Sequence, residues 1–309
     1  MRALTFAEYG PAGVLEVADL PEPHAGPGHI RVAVRASGLT PADCYLRSGR
    51  FRDTMPLRLP HVLGMDAAGV VDEVGPGVTG VRPGDAVFGS VDLAALGGAN
   101  AEYAVLAAWA PKPEALSWEQ AGGAAGNVET ATRTLDLLKV GAGTTLLIEG
   151  AAGGVGTVAI QLAAARGARV IGTAGVRNHA FIEGLGATPT TYGPGLGERV
   201  GALAPDGVDV VLDCAGSGSL PDLVKLTADP ARVVSIADLN AAEYGVHLSS
   251  SAGPGADPPA VEGLAAAAAL AQQGRFTVPV AAVFTLDNAA AAHRLSETGH
   301  ARGKIVFGQ

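Results

Sequence analysis

Residues 148–163, IEGAAGGVGTVAIQLA, restrict the fold more than any other stretch of the chain. Gly150, Gly153, Gly154 and Gly156 stand between an apolar strand-like run, TTLLIEG, and a segment with helical spacing, VAIQLAAARG. A second apolar run, ARVIGTA, follows where a strand–helix–strand unit of roughly 30 residues places it. Two strands joined by a helix run parallel, and the crossover is right-handed. The grammar continues through a helix at HAFIEGLGA, a strand at GVDVVLDCAG, a helix near SLPDLVKLTA and a strand at RVVSIADL. Alternation of this kind predicts an α/β, doubly wound parallel sheet with helices on both faces.

The first 110 residues read differently. RALTF, LEVADL, HIRVAVRA, AGVVDEVG and DAVFGS are short β-prone runs cut by YGPAG, AGPG, GPGVTG and RPGD, the pattern of an irregular β-barrel. One long helical stretch, SWEQAGGAAGNVETATRTLDLLKVG, leads from there into the sheet. After the Pro/Gly-rich break SSAGPGADPP, an alanine-rich helix and the runs VPVAAVFTL, DNAAAAHRLSETG and GKIVFG return to the style of the first part. The expected organisation is therefore residues 1–121 with 268–309 as one domain and 122–267 as a nucleotide-binding domain inserted between its parts.

Composition supports a compact enzyme: 309 residues, 48% hydrophobic and 17% charged. A net charge of -9 gives no basic footprint for nucleic acid, so no nucleic-acid partner is expected. No apolar run reaches the ~18 residues of a membrane span. Residues 1–4 begin like a strand rather than a secretory leader, so a cytoplasmic location is expected. Cys44 and Cys214 do not form a disulfide framework.

Dinucleotide binding needs a tight turn, close backbone approach to a pyrophosphate and a helix N-terminus facing that anion. Gly150, Ala152, Gly153, Gly154, Val155 and Gly156 supply such a turn. The end of the second strand decides the cofactor. An acid there would bind a free ribose and repel a 2′-phosphate. Here the chain reads Thr173, Ala174, Gly175, Val176, Arg177, Asn178, with no acid, which predicts NADPH. Arg177 is either the phosphate partner or a solvated residue opening the next helix.

LLIEGAAGGVGTVAIQLA, GLTPADCYLRSG, PHVLGMDAAGVVDEVGPGVTGVRPGDAVFG and GKIVF together resemble the zinc-independent quinone oxidoreductases of the medium-chain dehydrogenase/reductase superfamily. The resemblance runs over essentially the whole chain. It implies a GroES-like catalytic domain, a Rossmann domain with NADPH in the cleft between the two, commonly a homodimer, and hydride transfer to a small-molecule quinone or conjugated enone. The β-prone segment 244–249 is a candidate edge strand for such a dimer. Other readings of the same motifs are a reductase of a polycyclic or enoyl-thioester intermediate in a biosynthetic pathway, and a non-catalytic NADPH-binding protein.

By the same resemblance Thr40 and Tyr45 are the catalytic candidates, as hydrogen-bond donors to a substrate oxygen. The family usually has asparagine at the position of Thr40 and a second tyrosine where Phe51 stands. Thr130 matches a threonine near the phosphates and nicotinamide, and Tyr192 one that flanks the adenosine phosphate. Cys214, Ala215, Gly216, Ser235 and Ala237 are expected at the ligand-binding edge of the sheet, with Ala237 in place of a usual glycine. No metal is expected. A catalytic zinc takes cysteine and histidine ligands and a structural zinc four clustered cysteines, whereas this chain has Thr40 after SGL and Gly64-Met65-Asp66 where zinc-dependent relatives have Gly-His-Glu. His61 and Cys44 are read as packing residues, and Lys304 as a solvated lysine near a terminal strand.

Overall fold

The structure is a computed structural model and describes residues 1–92, 98–253 and 255–309; Pro254 of the expected Pro/Gly-rich break lies outside them. The chain divides into two compact units, Met1–Asn127 with Val261–Gln309, and Val128–Ala260. The expected boundaries after 121 and 267 would cut through helices α2 (Trp118–Gly122) and α8 (Gly263–Gln272), each of which lies whole in the first unit.

In chain order the first unit contains β1 (Arg2–Phe6), β2 (Leu15–Asp19), β3 (Ile30–Leu39), α1 (Pro41–Ser48), β4 (His61–Val62), β5 (Asp66–Val74), β6 (Ala86–Val91), β7 (Tyr103–Pro111) and α2. Helix α3 (Ala125–Leu137) then runs across the boundary into the second unit. The first unit resumes with α8, β14 (Val280–Phe284), α9 (Ala289–Glu297) and β15 (Lys304–Gly308). Its larger sheet has the order β14-β15-β3-β5-β6-β7, and β3 pairs additionally with β7. That extra pairing curls the sheet on itself, so inward-facing Ile30, Val32, Val71, Val87 and Leu106 form an enclosed core. A three-stranded sheet, β2-β1-β4, completes the unit.

The long helix expected from SWEQAGG onward is two helices. A Cβ on Gly122 would lie 2.6 Å from the backbone carbonyl of Ala36, so the glycines let the chain touch β3 at the cost of helical continuity.

The second unit contains β8 (Thr145–Glu149), α4 (Gly154–Ala165), β9 (Arg169–Thr173), α5 (His179–Glu183), β10 (Ala187–Thr190), α6 (Leu196–Leu203), β11 (Val210–Asp213), α7 (Leu220–Thr227), β12 (Val233–Ser235) and β13 (His247–Leu248). The order β10-β9-β8-β11-β12-β13 is parallel throughout. It is the doubly wound 3-2-1-4-5-6 arrangement, whose strand order reverses between β8 and β11 and whose ligands bind beyond the strand C-termini there. Leu147, Ile171, Val211 and Val233, fully buried, carry the sheet side of one core. Segment 244–249 does supply the edge strand, β13.

Candidate functional site

In the second unit the glycine cluster forms the link between β8 and α4. Gly150 has φ +76, a left-handed conformation glycine adopts without strain. Gly153 is the N-cap of α4, and Gly154, Val155 and Gly156 form its first turn, whose amides have no intrahelical acceptor. Gly156 is where close approach is obligatory: a Cβ there would lie 2.5 Å from Gly150 O and 2.8 Å from Ala151 Cα. The cradle fits a dinucleotide pyrophosphate in both shape and backbone dipole.

Around the cradle, two of the residues expected at the cofactor also hold the turn and loops in place. Thr173 is buried, and its hydroxyl and carbonyl accept from the amides of Gly150 (3.3 Å) and Ala151 (3.1 Å), fastening the turn to β9. Ser235 is likewise buried: its hydroxyl donates to Asp213 (2.7 Å) and accepts from the amides of Ala237 and Asp238. Both side chains thereby position the loops around the cradle.

Asp213 was not singled out by sequence, yet it organises this edge. Its carboxylate accepts from Ala215 N (2.8 Å), Gly216 N (3.0 Å) and Ser235. Gly216, at φ +58, packs so closely that a Cβ would meet Ala237 O at 2.7 Å. Glu149, in register with Asp213, accepts from Ser217 (3.2 Å) and Ser219. Burial pushes its carboxyl above the usual range. Burial, Asp213 and Glu149 together raise the Cys214 thiol well above its ordinary value, so it stays protonated.

Beyond β9, buried Ala174 leads to Gly175, the half-buried Asn178 and the exposed Arg177, which makes no hydrogen bond or ion pair among the described residues. Tyr192 is 60% exposed, and its loop is held by Arg199, whose guanidinium donates to the carbonyls of Thr191, Tyr192, Gly193 and Pro194. The sequence signal for that anchor was only an arginine one turn past a Gly-Pro-Gly loop. On α3, Thr130 donates to Glu129 (3.2 Å) and accepts from Arg133 (3.4 Å), whose guanidinium is itself buried against Glu129 and Ser249.

In the first unit Thr40 caps α1, ahead of Pro41 at its first position. Its amide (2.8 Å) and hydroxyl (2.9 Å) both meet Oδ2 of the fully buried Asp43, whose Oδ1 accepts from Gly64 N at 3.0 Å. Thr40 is therefore not the free donor that the sequence suggested; it shares its hydrogen with a carboxyl group. Tyr45 is 38% exposed, its ring edge-on to Phe51 and beneath the Arg50 guanidinium. His61 is buried against Phe6, and burial lowers its pKa. Cys44 is buried beside His293, its thiol pushed up to about 11 by burial.

Lys304 overturns the expectation of a solvated side chain. It is buried, with Nζ 3.0 Å from Oδ2 of fully buried Asp66, whose Oδ1 accepts from Gly126 N at 2.7 Å. The bare Gly38, Gly123 and Gly126 make the room, since a Cβ on any of them would come within 2.7 Å of this pair. Among the described residues no cluster of three or more His, Cys, Asp or Glu is arranged to hold a metal ion, and no helix is long and apolar enough to cross a membrane.

A parallel sheet with a glycine cradle at its switch point, accompanied by a GroES-like barrel, defines a dehydrogenase/reductase of two-part construction. The alcohol dehydrogenase GroES-like domain model matches residues 26–114, and the zinc-binding dehydrogenase model matches residues 196–307. The quinone oxidoreductase of Rattus norvegicus is 31% identical over 248 residues, 76% of this chain and 73% of the relative. The NADPH-dependent alkenal/one oxidoreductase, chloroplastic, of Arabidopsis thaliana is 32% identical over 76% of this chain and 62% of its own length.

Among solved structures, the quinone oxidoreductase from Coxiella burnetii superposes with TM-score 0.86 at 31% identity, covering 100% of this chain and 99% of that one. An NAD-dependent alcohol dehydrogenase gives 0.83 at 33% with both chains covered completely. The Escherichia coli quinone oxidoreductase complexed with NADPH gives 0.82 at 25%, again over both whole chains. The chain belongs to the quinone oxidoreductase family of the medium-chain dehydrogenase/reductase superfamily and is an oxidoreductase.

Proposed function

We propose that this oxidoreductase uses NADPH to reduce a small-molecule quinone or conjugated enone. The observation that carries the reading is the cradle of Gly150–Gly156 beside a β9 end with no acid and an exposed Arg177. Glu149 and Asp213, paired in register at the strand ends, are both buried, and their carboxylates accept from serines and loop amides. When bound, the cofactor supplies the hydride. The chain supplies the rest: the first turn of α4 binds the pyrophosphate, Arg177 and Asn178 take the 2′-phosphate, and the loops held by Asp213 and Arg199 flank the ligand.

Thr40 and Tyr45 are the groups of the first unit that we assign to the acceptor, with Phe51 making that side apolar. Names of relatives on both sides of the quinone and alkenal divide support an acceptor that is an electron-poor conjugated system. We also expect a homodimer joined along the open edge of β13, which sedimentation at micromolar concentration tests. Fluorescence titration of the protein with NADPH and with NADH tests the cofactor reading: NADPH binds at least tenfold tighter, and equal affinities would overturn it.

A further inference from the structure

Quinone and enone reduction consumes a hydride and a proton, and the source of the proton is open. Thr40 is half-buried while Asp43 is fully buried, and Oγ1 of the first lies 2.9 Å from Oδ2 of the second. A hydroxyl bonded to an ionised carboxylate has given up its only hydrogen and can only accept. Bonded to a protonated carboxyl, the same hydroxyl receives one hydrogen bond and is free to donate another.

Resting on the reading above, we propose that Asp43 and Thr40 form a proton relay that delivers the proton accompanying hydride transfer, Thr40 touching the acceptor oxygen and Asp43 acting through it. The step balances. Once the acceptor has gained its hydride, the electron pair on its oxygen forms an O–H bond with the Oγ1 hydrogen as that bond breaks. Oγ1 takes the proton of Asp43 Oδ2, which is left as the carboxylate. After the product leaves, Thr40 passes a proton from water back to Asp43.

The surroundings favour a carboxyl that takes up a proton. Two amides, Thr40 N and Gly64 N, and the Thr40 hydroxyl as donor stabilise the carboxylate. Against them stand complete burial and a shared counter-charge. Lys304 of β15, the cation facing Asp43 from outside α1, is already bonded to Asp66 of β5, and Cys44 on α1 stays a neutral thiol. Burial wins, and the Asp43 carboxyl is held above the usual range.

The test uses the full-length protein with Asp43→Asn, Thr40→Val and Thr40→Ser. With NADPH and a p-quinone, Asp43→Asn and Thr40→Val each lower kcat by about 100-fold, the lower range for losing a general acid, and Thr40→Ser retains most of it. The wild-type rate falls as pH rises through the Asp43 pKa and shows a solvent deuterium effect; both features disappear in Asp43→Asn. Carboxyl carbon NMR of the wild-type protein without substrate places the Asp43 titration above the ordinary aspartate range. An Asp43→Asn protein with wild-type kcat, pH profile and solvent effect would overturn the relay, as would an Asp43 titrating at ordinary aspartate values. Absence of quinone-dependent NADPH oxidation in the wild type would instead strike the functional reading, while the NMR titration still decides the Asp43–Thr40 chemistry. Circular dichroism and NADPH affinity of the variants separate a relay defect from unfolding.

Discussion

Replacing Gly156 by alanine tests whether the cradle depends on contact rather than on flexibility. The added Cβ would lie 2.5 Å from Gly150 O and 2.9 Å from Ala151 C, backbone atoms that no side-chain rotation can clear. Ordinary contact is roughly 3.5 Å, so α4 and the turn must separate by about 1 Å. Such overpacking costs about 1–3 kcal/mol, partly offset by the roughly 1 kcal/mol that alanine gains over glycine in a helix. A net loss of up to about 2 kcal/mol follows, with NADPH affinity reduced because the turn proposed to bind it has been displaced. Gly201→Ala is the matched control: it also lies within a helix, α6, but a Cβ there meets nothing within 4 Å. Thermal melts of the two variants should therefore move in opposite directions, Gly201→Ala gaining up to about 1 kcal/mol, while NADPH titrations show weakened binding in Gly156→Ala alone. If Gly156→Ala matches wild type in both measurements, the contact argument is wrong.

Arg177→Ala should weaken NADPH binding by about tenfold or more and leave NADH unchanged, from the loss of a charge-assisted hydrogen bond; an unchanged ratio assigns the arginine to solvent. His293, fully buried beside Cys44, is held neutral by burial and then by Arg47, with its pKa lowered to about 3. The unfolded chain binds more protons than the folded one between pH about 6.5 and 3, so its stabilisation is complete above that window and is lost as pH falls through it, of order 5 kcal/mol in total. Urea melts of His293→Leu should lack this slope, and an identical slope would refute the assignment. Lys304→Met strands the buried Asp66 and should cost about 3–5 kcal/mol, with part regained in Lys304→Met/Asp66→Asn; equal stability of the single and double variants would count against a buried ion pair.

Much of the parallel sheet was legible in the sequence because its central strands and turn announce themselves locally: the apolar run ending at Glu149, the glycines, and the apolar run ending at Thr173. The elements α1, β10 and α6 were not, since their runs PADCYLRS, ATPT and LGERVGAL carry proline or glycine, which read as turn residues. Backbone glycines of the cradle were readable for the same local reason. Side-chain roles were not, because they depend on distant partners. The positioning roles of Thr173 and Ser235 emerge only when the turn at Gly150 and Asp213 of β11 come alongside, and Lys304 looks solvated until the fold brings it to Asp66, 238 residues away in the chain. Thr40 sits between these cases: its partner Asp43 is three residues away, but only complete burial of that acid makes the pairing consequential.

The central claim is hydride transfer from NADPH to a conjugated acceptor. Its most direct test is the initial rate at which the purified protein consumes the reduced-nicotinamide absorbance, with NADPH or NADH, in the presence of a p-quinone, an alkenal or a saturated aldehyde. NADPH oxidation driven by the quinone or the alkenal, much slower with NADH and absent with the saturated aldehyde, is the predicted result. Oxidation driven only by the saturated aldehyde, or no oxidation with any conjugated acceptor despite tight NADPH binding, would contradict it.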